Sequence, residues 1–419
     1  NPTTPFRDLR AAEEKSIIDR AIRSSERRLQ MLEKGFSENE ILASFSVKRN
    51  MRVFDWESPG KQKDTLLSPL DSIRYYKSFL RAAMMSMEPQ TGHVKAWVGG
   101  INSRHFQYDH VIQGARQAGS IFKPFVYATA IDQLRISPCE TLPDTQFCIA
   151  AGKHGNIEPW CPKNSGGTYT GEMLTYKRAL ARSVNSVTAQ IIDKIGPNPV
   201  VQLVKNLGIK SKILPVPSIA LGTADINVYE MVGAFGTFAN KGVYVKPVMV
   251  TSITDKAGTV LYEYTPETKD VMSKDVAYTV VNLLEGVTRD GSGVRLRTTG
   301  AENRAEYKEI ITGYPWSFTN PIAGKTGTTQ NQSDGWFMGM VPNLVSGVWV
   351  GGEDRATHFK TIEYGQGASM ALPIWANYMK SNYAIPDLGI SQGAFERPKN
   401  LSIVVDCGRI SNKEGDPGI

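Results

Sequence analysis

The chain has 419 residues, 41% of them hydrophobic and 21% charged, with a formal net charge of +7. That is the composition of a soluble globular protein with a substantial core, long enough for two or three domains or one large domain with appendages. The basic excess is thinly spread, with no dense Lys/Arg run interleaved with aromatics, which argues against nucleic acid and fits an anionic surface such as a membrane or an acidic polymer.

No apolar run reaches bilayer-spanning length, and the chain opens at Asn1 without a signal peptide. It reads as a fragment or processed form, so the absence of an anchor or export signal says little about the natural protein. Residues 1–65 read as an N-terminal helical leader or inter-domain remnant. Arg10 to Lys34 is predicted to be one charged helix with a narrow apolar stripe at Ile18, Ile22, Leu29 and Leu32, ended by Gly35. Ser37-Glu38-Asn39-Glu40 has capping-box form and opens a short helix through Leu42 and Phe45. Ser58-Pro59-Gly60-Lys61 reads as a turn or linker.

The main domain is placed at residues 66–385. Leu80 to Met87 and Val94 to Val98 read as strands around the hairpin loop Glu88 to Gly92. After Gly99-Gly100 a loop leads to Ser120. Phe122, Phe125, Val126, Tyr127, Ala128, Ala130, Ile131 and Leu134 then leave almost no polar face, so this helix is predicted to be buried. Residues 135–172, rich in Pro, Gly, Asn and Thr, form a long connection suited to line one wall of a cleft. Within it Cys148 and Cys161 bracket a polar loop. They can close a disulfide worth roughly 3 kcal/mol, remain buried thiols, or bind zinc with His154, although the spacing fits no common zinc pattern. Cys139 and Cys407 complete the set.

Helices are predicted over Glu172 to Arg182 and Ser186 to Ile195, with the tight turn Ser183-Val184-Asn185 between them, then over Pro199 to Gly208 and Val228 to Asn240. Lys246 to Thr254 and Thr259 to Tyr264 read as paired strands and Ser273 to Val287 as a helix. Arg289 to Gly293 reads as a flexible turn and Thr298 to Phe318 as an irregular surface insertion. Ala323 to Thr329 reads as a sheet edge. Trp336 to Val341 and Val345 to Val350 form a hairpin behind it, with Ala371 to Met379 as a covering helix. The C-terminal extension 386–419 is assigned no chemistry.

Three short stretches carry reactive side chains. Ser120 and Lys123 are three apart, on one face of a helix, about 5–6 Å apart at Cβ. Serine needs an adjacent base to act as a nucleophile. Lysine is such a base only when burial or a second cation lowers its pKa, and the apolar helix supplies the burial. Ser183 and Asn185, taken alone, are helix caps, but both can point into a cavity. Lys325-Thr326-Gly327-Thr328, taken alone, is an edge strand protected by a lysine. Its glycine also lets another group approach the backbone.

Ser-x-x-Lys, Ser-x-Asn and Lys-Thr-Gly, in that order on a helix start, an inter-helix turn and a sheet edge, make up the signature set of the serine penicillin-recognising enzymes. Arg116-Gln117-Ala118-Gly119-Ser120, Ala220-Leu221-Gly222, Phe238-Ala239-Asn240-Lys241-Gly242 and Asp334-Gly335-Trp336-Phe337 sharpen the match. Over roughly residues 66–385 the chain resembles the transpeptidase domain of bifunctional class A penicillin-binding proteins. The resemblance implies an α+β transpeptidase fold of the penicillin-binding/β-lactamase type: a central antiparallel sheet covered by helices, plus a mainly helical subdomain.

It also implies a peptidoglycan DD-transpeptidase, with D-Ala-D-Ala stem peptides as donors, stem-peptide amines as acceptors and β-lactams as inhibitors. Ser120 would be the nucleophile and Lys123 the base. Ser183 would relay a proton, and Asn185 would hold Lys123 and the substrate amide. Lys325 with Thr326 or Thr328 would bind the terminal carboxylate, and the Ser120 and Thr328 N–H groups would form the oxyanion hole. No metal or other cofactor is expected. The location implied is extracytoplasmic, on the periplasmic face of the inner membrane, with an anchor and a glycosyltransferase domain in the full-length protein. Two departures stand out. Ile121 replaces the usual Thr. Residues 1–65 are too short for a glycosyltransferase domain and lack its Glu-Asp-x-x-Phe pattern, so no polymerase activity is expected of this chain. The competing readings are a DD-carboxypeptidase or β-lactamase, for which no water-activating base can be assigned, and a non-catalytic β-lactam or muropeptide sensor, which the three intact motifs disfavour.

Overall fold

The computed structural model describes residues 5–297 and 311–409. Its centre is a five-stranded antiparallel sheet in the order Ala323–Thr328, Asp334–Val341, Leu344–Gly351, Arg81–Met87, Val94–Val98. Every residue of Asp334–Val341 and Leu344–Gly351 is buried, as a strand without polar alternation requires when both faces are covered. Successive side chains go to opposite faces. Trp336, Met338 and Met340 join a core with the helices Lys123–Leu134, Val228–Ala239 and Lys274–Asp290. Phe337 and Val341 join a second core with the helix Leu372–Tyr383. Gly339 admits that helix closely: a Cβ there would lie 2.4 Å from the Trp375 ring. This is the α+β architecture expected, with the hairpin and covering helix in the predicted places.

The helix Lys123–Leu134 is buried from Lys123 through Ile131. Leu134, in its last turn, is exposed. Other local expectations change. The charged stretch 10–34 is two helices, Ala11–Arg23 and Glu26–Glu33, because the Ser25 side chain accepts from the Arg28 N–H and starts a new one. Ser58 to Lys61 is the tip of a hairpin, Arg49–Phe54 against Gln62–Leu67, so residues 65 and 66 lie inside one strand. Met173–Thr175 is a strand paired with Thr141–Pro143, and Thr175 caps the helix Tyr176–Ala181 that follows. In the stretch 246–254 only Ser252–Thr254 pairs with Val260–Glu263. Of the expected insertion, residues 298–310 lie outside the described residues.

The N-terminal helices enclose a small core of Phe6, Ile17, Ile18, Ile22, Ile41 and Phe45. Arg20 Nη2, on the first of them, lies 3.0 Å from Asp354 Oδ1, just past the strand Leu344–Gly351, where Lys77 Nζ also lies 2.5 Å from Glu353 and 2.7 Å from Asp354. The tail after Tyr383 returns to the domain. Ser402 Oγ donates to Asp275 Oδ2 at 2.6 Å, Ser137 Oγ donates to Val404 O at 2.6 Å, and Cys139 is bonded to Cys407. Cys148 and Cys161 form a second disulfide, which decides among the three states open to them. His154 faces Asp193, Nε2 lying 3.4 Å from Oδ1.

Candidate active site

Ser120 lies on a single 3-10 turn, Gly119–Phe122, that runs into the buried helix Lys123–Leu134. Gly119, at φ +58°, turns the chain out of the short strand Arg116–Gln117. The turn is clamped by backbone on two sides. Gly119 N–H donates to Gly222 O at 2.9 Å and Ala118 N–H donates to Ala224 O at 3.0 Å. A Cβ on Gly222 would sit 2.0 Å from Gly119 O, and one on Gly327 would sit 3.0 Å from Ala118 O and from Ile121 Cγ2. Ile121 is thus fully buried against the sheet edge.

Lys123 and Lys325 are both fully buried. Lys123 Nζ donates to Ser183 O at 2.6 Å and to Asn185 Oδ1 at 2.6 Å, and lies 3.3 Å from Ser183 Oγ. Lys325 Nζ donates to Ser183 Oγ at 2.9 Å and to Thr326 O at 3.0 Å. The Ser183 hydroxyl therefore stands between the two amines. Its residue holds φ at +59°, a left-handed conformation uncommon for a side-chain-bearing residue. Backbone bonds from Ser183 N–H to Leu180 O and from Val184 N–H to Ala179 O maintain it.

Burial, then the neighbouring Lys325 charge, pushes Lys123 well below its ordinary range, while burial lowers Lys325 to about 7. The hydrogen bonds fit a neutral Lys123. Its two short partners, a carbonyl and an amide oxygen, can only accept, and they occupy the two N–H bonds of a neutral amine. The lone pair is left for a hydroxyl. Ser183 Oγ accepts from Lys325 and so keeps its own proton to donate.

Ser120 is half-buried and lines a cleft of about 600 Å³ together with Ser183, Asn185, Thr326 and Thr328. Its hydroxyl makes no hydrogen bond among the described residues, because the contacts of Lys123 go to Ser183 and Asn185. Catalytic hydrogen bonds commonly tighten only once substrate is bound. At the sheet edge, Thr329 N–H donates to Asp334 O at 3.2 Å. Bonded and non-bonded pairs alternate along an antiparallel ladder, so the N–H and C=O of Thr328 point off the free edge. Gly119 lies there: its Cβ would meet Thr328 O at 3.0 Å. Thr328 Oγ1 accepts from Gly367 N–H at 3.1 Å and keeps its own proton to donate, whereas Thr326 Oγ1 is paired with Ser292 Oγ at 2.6 Å.

Asp334 stands in a stretch that the sequence singles out, but its partners do not show there. Asp334, buried, ties both flanks together. Its Oδ1 accepts from Arg116 Nε at 2.7 Å and Trp349 Nε1 at 2.9 Å, and its N–H donates to Thr329 Oγ1 at 3.0 Å. The connection 135–172 does supply a wall of the cleft through Trp160 to Ser165, and Arg182, Ser292 and Gln366 complete the rim. The length of that connection and its Pro, Gly, Asn and Thr content were the signal that pointed to the wall. Among the described residues no group of three His, Cys, Asp or Glu side chains is placed to hold a metal ion, and no helix is long and apolar enough to cross a membrane.

Residues 82–353 match the family described as the penicillin-binding protein transpeptidase domain, and residues 1–80 match the penicillin-binding protein middle domain. The chain is 32% identical over 303 residues to penicillin-binding protein 1A of Aquifex aeolicus (strain VF5), covering 72% of this chain and 38% of that protein. It is 28% identical over 390 residues to penicillin-binding protein 2D of Bacillus subtilis (strain 168), covering 92% and 51%. The chain thus spans about half the length of these relatives, or less. Among solved structures, PonA1 of Mycobacterium tuberculosis in complex with penicillin V superposes with a TM-score of 0.63 at 21% identity, covering 94% of this chain and 98% of that one. Penicillin-binding protein 1A of Haemophilus influenzae gives 0.60 at 22% identity, covering 91% and 65%. At that identity the structures speak to the fold alone.

Proposed function

The chain belongs to the penicillin-binding protein transpeptidase family, and from that premise we propose that it is a serine DD-transpeptidase that cross-links peptidoglycan stem peptides and is acylated by β-lactams. The observation that carries the reading is the Ser183 hydroxyl set between two buried lysines, in the cleft that Ser120 lines.

Ser120 Oγ attacks the carbonyl carbon between the two D-Ala residues of a donor peptide and gives up its proton to neutral Lys123. The N–H groups of Ser120 and Thr328 hold the developing oxyanion; losing one such donor typically costs ~10²–10³ in rate. The C–N bond then breaks, and the proton passes from Lys123 through Ser183 to the departing D-Ala amine. The ester on Ser120 is attacked by an acceptor amine, which loses a proton as the C–O bond breaks, restoring the hydroxyl and leaving a new amide. Asn185 holds Lys123 and the substrate amide. Lys325 and the free Thr328 proton receive the terminal carboxylate, with Thr326 and Gly327 forming the strand beside it. The two disulfides support an extracytoplasmic location, where such bonds persist. The anchor and the glycosyltransferase unit belong to the full-length protein in this reading.

Intact-mass analysis after penicillin treatment tests it. One covalent adduct is expected, mapping to Ser120 and absent from Ser120→Ala, and transfer of a donor peptide to an amine acceptor is expected to separate a transpeptidase from a sensor. A wild-type chain that stays unmodified, or is modified at another residue, overturns the reading.

A further inference from the structure

Asn185 carries Lys123 from the first turn of a helix, where backbone N–H groups lack partners within the helix. The residue before that helix, Val184, supplies no capping oxygen. The cap comes instead from a distant loop: Asn164 Oδ1 accepts from Asn185 N–H at 2.9 Å and from Ser186 N–H at 3.1 Å. The Asn185 side chain is fixed at its other end, where Nδ2 donates to Lys163 O at 2.7 Å. Asn164 is itself held by Asp144, its Nδ2 donating to Oδ1 at 2.8 Å.

Asp144 is 2% exposed. Its carboxylate accepts three further bonds, from Ser186 Oγ at 2.6 Å, Thr170 N–H at 3.0 Å and Thr170 Oγ1 at 2.9 Å. Among the described residues no cation pairs with it, and these hydrogen bonds hold the carboxyl below its usual range in spite of burial. The charged groups of the network are Lys123, gripped by Asn185, and Lys163, next to Asn164. A buried carboxylate satisfied only by the cleft wall and the start of the Asn185 helix does not serve core packing; it joins those two elements.

We infer that Asp144, acting through Asn164, is a positioning residue that sets the loop 163–170 on the helix start, so that the Asn185 amide oxygen is presented to Lys123. This rests on the reading of Lys123 as the base. Asn164→Ala leaves two backbone donors and a carboxylate oxygen without their partner, and Ser120 acylation by penicillin is expected to fall about 10- to 100-fold, the scale of unsatisfied buried groups. Asn164→Asp keeps an oxygen on both N–H groups but sets a second carboxylate against Asp144, so the bridge re-forms only when the pair shares a proton. Its acylation rate relative to wild type is therefore expected to rise as pH is lowered from about 8 to about 5, a response that loss of fold alone does not produce.

The measurement is the second-order acylation constant across pH for the three proteins, with thermal unfolding beside it. Wild-type rates in Asn164→Ala, or a pH-independent ratio in Asn164→Asp, overturn the inference. If Asn164→Ala does not fold, the Asn164→Asp profile decides. A wild-type chain that is not acylated at Ser120 instead removes the parent reading.

Discussion

Lys325 is a buried ammonium with no carboxylate beside it among the described residues, a stability cost the fold carries for another reason. Lowering Lys325 from its ordinary 10.5 to about 7 corresponds to about 5 kcal/mol. The sign follows from proton counting. Between about pH 7 and 10.5 the unfolded chain holds this proton and the folded chain does not, so wild-type stability rises with pH across that window. The penalty is full below about pH 7 and gone above about 10.5. Lys325→Met removes the titrating group. It also removes the bonds to Ser183 Oγ and Thr326 O, a loss of about 1–3 kcal/mol that stays constant with pH.

The variant should therefore be the more stable protein near neutrality, and its advantage should shrink by about 5 kcal/mol as pH is raised to 10.5. Relief of Lys123, which also feels the Lys325 charge, acts in the same direction. Urea unfolding of both proteins over a pH series measures the difference, in which tyrosines and surface lysines cancel. Penicillin acylation of the variant should collapse, stability having been gained at the expense of the site. A wild-type-minus-variant difference that does not change with pH would refute the argument.

Two further outcomes are expected. Gly222→Ala places a Cβ 2.0 Å from Gly119 O at φ +74°, so it should destabilise by at least about 1–3 kcal/mol and slow acylation by displacing Ser120, whereas Gly258→Ala, at φ +87° with open space around it, should leave acylation unchanged; equal acylation by the two variants would contradict the clamp. Cys407→Ser opens a bridge spanning 268 residues and should cost up to about 5 kcal/mol in chemical unfolding. Since no described residue of the tail lines the cleft, penicillin labelling of Ser120 should proceed as in wild type.

What the sequence disclosed was short-range. The Ser120–Lys123 spacing, the apolar helix behind it and the strand pair around Pro342-Asn343 each follow from patterns within a dozen residues, and the order of three motifs supplied the rest. What stayed hidden was long-range or depended on which acceptor an amine chooses. The spacing paired Lys123 with Ser120 and the resemblance set Asn185 on Lys123; in the fold the amine does reach Asn185, but its other close partner is Ser183, not Ser120. Thr326 and Thr328 looked interchangeable until Ser292 and Gly367 gave them different partners. Asp144 and Asn164 carry no local signature, because their meaning comes only from a helix start 21 residues beyond Asn164 and about twice as far from Asp144. Ser24-Ser25 was passed over because the charge pattern on either side is continuous, although the Ser25 side chain is what divides the helix.

Behind Ser120 the molecule offers main chain against main chain: Gly119 against Gly222, and Gly327 against the carbonyl of Ala118. Approaches this close leave no room for a larger residue, so substitution there meets the fold before it meets a ligand. In the proposed reading, discrimination between acyl donors therefore falls to rim side chains such as Trp160, Arg182 and Gln366. The rear of the pocket is a fixed mould, and its entrance is where substitution can recut the shape.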